Sequence, residues 1–178
     1  GRNKTMSFWS DSSLQPKRKS RFILNIGGLD SWIIKRVKKP SFEVNVSEHT
    51  YLNHKFYYPG TVTWKEVDCT LVDPLQPDST RTFAEILSKS GYSIPESNEL
   101  ITAVVSKSDA TAAIGTVAIN QINAQKQIIE TWKLRNAFVS NVDFGELSYE
   151  DDNLVDITVT FRYDYAELTK AGEAGKVL

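Results

Sequence analysis

Apolar and polar side chains alternate along much of this chain with a period of two. The alternation is clearest near the C-terminal end, where Val155, Ile157, Val159, Phe161, Tyr163 and Tyr165 are interleaved with Asp156, Thr158, Thr160, Arg162 and Asp164. That period predicts one long strand over 155–165, dry on one face and wet on the other. A slip of one residue would expose every apolar side chain, each worth roughly 1.5–3 kcal/mol when buried, so the register is fixed. Phe42, Val44 and Val46 alternate with Glu43, Asn45 and Ser47, and Val67, Cys69 and Leu71 with Glu66, Asp68 and Thr70. These predict two more half-buried strands, within 41–47 and 62–71. Shorter β-rich runs predict strands at 21–26, 31–37, 55–58, 115–122, 127–134 and 137–144. Turn chemistry separates them at Gly27-Gly28, Pro59-Gly60, Asn123-Ala124, Phe144-Gly145 and Asp151-Asp152-Asn153.

Helical periodicity is scarcer. Over 78–90, Asp78 or Ser79 can cap the first turn, Phe83, Ile86 and Leu87 recur at helical spacing, and Gly91 stops the run. A second helix is expected over about 96–106, starting after Pro95 with Leu100, Ile101, Val104 and Val105 on one side; an Ala-rich stretch continues to Ala113. The fold class predicted is mainly β (α+β): an antiparallel β-sandwich or barrel with one or two helices in a mid-chain insertion. No internal repeat or low-complexity tract is present.

Composition adds constraints. A chain of 178 residues, 40% hydrophobic and 24% charged, suits one globular domain and excludes disorder of the whole. Its net charge of −1 conceals a partition: residues 1–40 carry ten basic and two acidic side chains, or +8, leaving −9 for the rest. Such a division points to nucleic-acid contact or to self-association of a basic part with an acidic part, against a plainly solvated arm. Phe8 and Trp9 stand too far from Lys17-Arg18-Lys19 to form an obvious stacking platform. The apolar runs are far shorter than the roughly 20 residues of a bilayer span, so no membrane span or secretory signal is expected. Met6 could be a natural start, with residues 1–5 an added remnant.

Candidate chemistry is thin. The lone Cys69 excludes internal disulfides and falls on the apolar face of its strand, where it reads as a buried small hydrophobe rather than a nucleophile. With only His49 and His54 and no Cys pair, no metal site or cofactor is expected. Asp143, Glu146, Glu150, Asp151 and Asp152 could supply an acid and a base or hold calcium. They lack the spaced calcium loop and read as a hydrophilic turn. Gly27-Gly28 lacks the phosphate-binding glycine pattern. Four tryptophans and seven tyrosines suit a core or subunit contacts, with carbohydrate stacking as an alternative.

Two stretches resemble the tail tube proteins of contractile-tailed bacteriophages. The first runs over 52–71, with Tyr57-Tyr58-Pro59-Gly60, Trp64 and an alternating strand, followed by the 78–90 helix. The second runs from Glu130-Thr131-Trp132 through Gly145-Glu146-Leu147 and Asp151-Asp152-Asn153 to Arg162-Tyr163-Asp164-Tyr165. The resemblance covers about 42–90 and 127–167 and departs in detail over 91–113. It implies a hexameric ring whose inner strands join into one continuous β-barrel around a channel, with rings stacking into a tube.

On that resemblance, residues 1–19 form an N-terminal basic arm, 20–168 the tail tube β domain and 169–178 a C-terminal tail. Within the domain, 48–60 is an extended inter-subunit arm bearing Tyr51, Asn53, Lys55, Phe56, Tyr57 and Tyr58, and 78–113 is a helical insertion. Glu43, Asn45, Glu66, Asp68, Asp156 and Thr158 are candidates for the lumen wall, and Lys17, Arg18, Lys19 and Arg21 for ring stacking. The implied function is a structural, non-enzymatic virion protein, the conduit for genome delivery. Its implied partners are further copies of itself, a sheath protein, a tape-measure protein and then DNA in the lumen, and a baseplate and tail terminator at the ends. The implied location is the phage tail, assembled in the host cytoplasm. Alternatives are the inner tube of a bacterial contractile injection or secretion system, a baseplate tube initiator, a monomeric carbohydrate-binding β-sandwich using Trp9, Trp32, Trp64 or Trp132, and a hydrolase using the 143–152 carboxylates.

Overall fold

The computed structural model of the chain describes residues 16–27, 33–76, 78–94, 96, 104–173 and 175–178. Phe8, Trp9, Gly28, Trp32, Leu100 and Ile101, and with them most of the helix expected over 96–106, lie outside the described residues. The elements follow in the order β1 (Phe22–Ile26), β2 (Ile34–Val37), β3 (Phe42–Tyr51), β4 (His54–Trp64), β5 (Val67–Val72), α1 (Ser79–Lys89), α2 (Lys107–Ile114), β6 (Val117–Ile122), β7 (Ile128–Arg135), β8 (Phe138–Asp143), β9 (Asp156–Arg162) and β10 (Tyr165–Lys170). They form a mainly β fold with antiparallel sheets in the orders β1-β6-β7-β10 and β2-β5-β9-β8 and a separate hairpin β3-β4.

The two larger sheets enclose one core. Val67, Cys69 and Leu71 stand opposite Phe161, Val159 and Ile157, all fully buried, and meet Leu24, Ile26, Val117, Ile119 and Leu134 of the other sheet. Burial pushes the Cys69 thiol up to about 12, so at neutral pH it packs as an apolar group. The dry side of β5 and β9 is thus the expected one, while Thr70 and Thr160 of the expected wet side are buried as well.

The expected strand over 155–165 is two strands in different sheets. β9 ends at Arg162, and after Tyr163-Asp164 the chain enters the other sheet as β10. β7 makes the same passage into β8 through Asn136, whose φ is 53°. One long antiparallel ribbon therefore folds over a corner and pairs as β7-β10 in one sheet and β8-β9 in the other. Asp164 pins the bend: its N–H donates to the Arg135 carbonyl at 3.0 Å, and its carboxylate accepts from Lys107 Nζ and Asn136 Nδ2, each at 2.7 Å. Past the corner the dry side changes parity, leaving Tyr165 exposed and Ala166 buried.

The helices also differ from expectation. α1 forms as predicted, with Arg81 N–H donating to Asp78 Oδ1 at 3.1 Å and Ser79 N–H to Asp73 Oδ1 at 3.1 Å, and it buries Phe83 and Ile86. Leu87, expected on the same face, is half exposed. Among the described residues the next helix, α2, begins at Lys107, where Ser106 supplies the cap: its Oγ accepts from Asp109 N–H at 3.1 Å. Val104 and Val105 precede that cap in exposed chain. Gly115 ends the helix, and Ala110 and Ile114 seal it onto the core.

The largest departure is the hairpin. Phe42, Val44 and Val46 have no dry face; the whole of β3 is exposed, as is β4 apart from Trp64. The expected turn at Pro59-Gly60 lies inside β4, where the register shifts between Val44 and Val46 and a bulge tolerates both residues. The actual turn is Leu52-Asn53, with φ of 46° and 61°, the left-handed pair of a tight hairpin. The strand expected within 62–71 is divided in the same way, its first part ending β4 and its second forming β5.

Candidate assembly surface

Each strand of the arm spans about 33 Å. Its register sorts its side chains into four zones. Near the base, Phe42, Val44 and Val46 share one face with Trp64, Val62 and Pro59, while Glu43 and Asn45 share the other with Thr63 and Thr61. Asn45 Nδ2 donates to Thr61 Oγ1 at 2.9 Å, so that second face is a polar ladder. Beyond the bulge the chemistry reverses. His49, Tyr51, His54, Phe56 and Tyr58 follow the polar face outward and make it aromatic, whereas Glu48, Thr50, Lys55 and Tyr57 follow the apolar one, with a Glu48–Lys55 ion pair at 2.9 Å. The His54 and Phe56 rings meet edge to face at 4.7 Å. Val46 and Tyr57 each remain 62% exposed, a surface that one copy does not cover. Trp64 joins the arm to the body, its ring 5.4 Å from Phe42 and 6.0 Å from Tyr163.

Six residues expected on the inter-subunit arm lie on this hairpin, together at its outer half. The lumen candidates divide between two places. Glu43 and Asn45 are on the arm; Glu66, Asp68, Asp156 and Thr158 are on or beside the outer face of the β2-β5-β9-β8 sheet. Most of these carboxylates are already compensated. Lys65 pairs with Glu43 and, by hydrogen bonding, lowers its carboxyl pKa; Arg162 pairs with Glu66 at 2.5 Å and Lys35 with Asp156 at 2.7 Å. Asp68 accepts from Thr160 Oγ1 at 2.9 Å.

The basic segment lies against β6 and β7 of the other sheet. Lys17 pairs with Glu130, as does Lys39 at 2.7 Å, and Trp132 Nε1 donates to the same carboxylate at 2.8 Å. The Arg18 carbonyl accepts from Gln121 Nε2, and the Arg21 carbonyl from Ile122 N–H. Burial pushes the Glu130 carboxyl up, but the hydrogen bonds from Lys17, Lys39 and Trp132 prevail and hold it at about 2, against an ordinary 4.5. A carboxylate held down in this way lends stability above its ordinary value and loses it as pH falls towards 2. Glu130→Gln is expected to cost about 1–3 kcal/mol at neutral pH and to flatten the acid limb of the stability curve; urea unfolding from pH 7 to pH 2 measures both. Sequence reasoning gave Glu130 no role; its only signal was a strand face shared with Trp132 two residues on.

Of the tryptophans considered for carbohydrate stacking, Trp64 is held in the arm root and Trp132 is turned to Glu130, while Trp9 and Trp32 lie outside the described residues. Within the 143–152 loop, Asp143 and Asp151 accept from Gly145 N–H and Asn153 N–H. Gly145 itself has φ of 85°, and a Cβ there would stand 2.6 Å from the Asp156 carbonyl. Among the described residues, no group of three or more His, Cys, Asp or Glu gathers as a metal site, and no helix is long and apolar enough to cross a membrane.

No family model matches the chain, and no curated protein matches it by sequence. Comparison of structures is informative. A chain of the anti-feeding prophage baseplate is 17% identical with a TM-score of 0.65, over 90% of this chain and 99% of that one. A chain of the PVC sheath/tube terminator, from an extracellular contractile injection system in its extended state, is 16% identical with a TM-score of 0.62, over 88% and 98%. A chain of the PVC sheath-tube complex is 14% identical with a TM-score of 0.61, over 94% and 100%. This protein therefore has a tail-tube-like fold, the one found in chains of these contractile injection assemblies.

Proposed function

We propose that this chain is a structural, non-enzymatic subunit of the inner tube of a contractile apparatus, with six copies closing a ring and rings stacking inside a sheath. The observation that carries the reading is the β3-β4 arm: two long strands with apolar and aromatic side chains on both faces and no core of their own. An isolated two-stranded ribbon is marginal in water, so the arm calls for neighbouring copies to cover it. Its whole-length likeness to chains of sheath-tube and terminator complexes supplies the apparatus. Negative-stain microscopy and size-exclusion chromatography of the purified full chain test it. Rings or tubes with sixfold symmetry are expected; a 20 kDa particle at every concentration would overturn the reading.

Two cargoes fit such a tube. A contractile phage tail would hold a tape-measure protein and then DNA, between a baseplate and a terminator. The likeness to extracellular injection and anti-feeding assemblies favours the second reading, a tube that delivers protein rather than a genome. Particles purified from the source and assayed for nuclease-protected DNA decide between them: protected DNA supports the phage tail, and its absence with a protein cargo supports the injection system.

A further inference from the structure

Apart from the arm there is a second uncovered feature, a cleft of about 1180 Å³ lined by the 17–20 segment, β2 and residues of β6 and β7. Its walls hold six cations against two carboxylates, Asp68 and Asp156, and its floor is apolar, with Phe22, Ile119 and Trp132. Half of the cations are already engaged, Lys17 and Lys39 by Glu130 and Lys35 by Asp156. Lys19, Arg36 and Lys38 have no carboxylate partner among the described ion pairs; Arg36 reaches only Thr70 Oγ1, at 3.4 Å.

The opposite chemistry lies in the loop between β8 and β9. Asp143, Glu146, Glu150, Asp151 and Asp152 fall in a stretch with no Lys, Arg or His from Asn136 to Phe161, and none of the five is in a described ion pair. The same loop holds out Leu147, 84% exposed, and Tyr149, fully exposed. In one copy the loop adjoins the cleft only at its rim, where Lys35 and Asp156 stand, and contributes nothing to its floor.

We propose that the cleft receives the acidic loop of a second copy of this chain, with Glu146, Glu150 and Asp152 meeting Lys19, Arg36 and Lys38 and the loop's apolar side chains covering Phe22 and Trp132. Both members are complementary twice over, in charge and in apolar surface, with three of the cleft's cations and the loop's five carboxylates outside the described ion pairs of the single copy. The first fifteen residues, which precede the cleft segment in sequence, hold two basic side chains, Arg2 and Lys4, and one acidic, Asp11, a net +1 that does not suit a basic receptor. The inference rests on the tube reading only in taking the partner to be another copy.

Charge exchange tests it on the full chain. Lys19→Glu with Arg36→Glu and Lys38→Glu reverses the cleft; Glu146→Lys with Glu150→Lys and Asp152→Lys reverses the loop. All six side chains are exposed, and circular dichroism with thermal melting verifies the fold of each variant. By sedimentation velocity, each one-sided reversal is expected to weaken self-association by about tenfold or more, and the wild type to weaken with rising salt. Mixing the two variants, or joining both reversals in one chain, is expected to restore it. One-sided variants that associate like the wild type overturn the proposal. So does loss without restoration, which assigns the cations to another partner such as nucleic acid or the sheath. Tubes indifferent to both reversals leave the tube reading standing and sink this one, whereas loop-dependent pairing without rings does the reverse; a wild type monomeric throughout ends both.

Discussion

Replacing residues 48–57 with Asn-Gly is expected to abolish tube assembly while leaving the protomer folded. Ser47 and Tyr58 are directly paired across the hairpin, so a two-residue turn between them preserves the register of everything below it. The excised part contains Tyr51, Phe56, Tyr57 and both histidines, none of them in the core. The melting temperature should stay within a few degrees of the wild type's, since surface changes away from buried features usually cost less than about 0.5 kcal/mol. Assembly, read by electron microscopy, should fall from tubes to single rings or monomers, because aromatic anchors dominate the energy of interfaces. Normal long tubes from this variant would show that the arm is dispensable and remove the observation on which the proposed function stands.

Phe161→Ala is expected to cost about 3–5 kcal/mol, enough to unfold much of a marginally stable domain. Among the described residues, Phe161 is the largest of the fully buried side chains and stands opposite Val67 and Val139. Truncation leaves a void between two sheets joined by a continuous ribbon, so the walls have little freedom to collapse into it. Chemical denaturation followed by tryptophan fluorescence measures the loss. A cost under about 1 kcal/mol would mean that the sheets do not meet where the structure places them.

The two experiments separate the two kinds of apolar pattern in this chain. In β5 and β9, alternation meant burial in the copy's own core, and Cys69, Leu71, Ile157 and Val159 were legible as core residues from the sequence. In β3 the same alternation, Phe42-Val44-Val46, is wholly exposed. Period two reports which side chains share a face, but not whether anything in the same copy covers that face. Pro59-Gly60 misled for a related reason: a bulge and a turn use the same residues, and the left-handed pair that closes the hairpin is the less conspicuous Leu52-Asn53. The cleft was invisible in sequence because its walls come from segments as distant as Lys17 and Thr158, and Glu130 acquires meaning only when Lys17 and Lys39 converge on it.

By itself the sequence determined the fold class, most of the strands, the cap of α1, the inert burial of Cys69 and the division of charge between the leading residues and the remainder. Each is a local property, set by side-chain period, capping groups or the simple count of charges. The tertiary structure decided which strands share a sheet, where the 155–165 run turns its corner at Asp164, and that the 42–64 hairpin stands clear of the body. Those outcomes depend on hydrogen bonds and packing between distant segments, and a one-dimensional pattern does not record which faces meet.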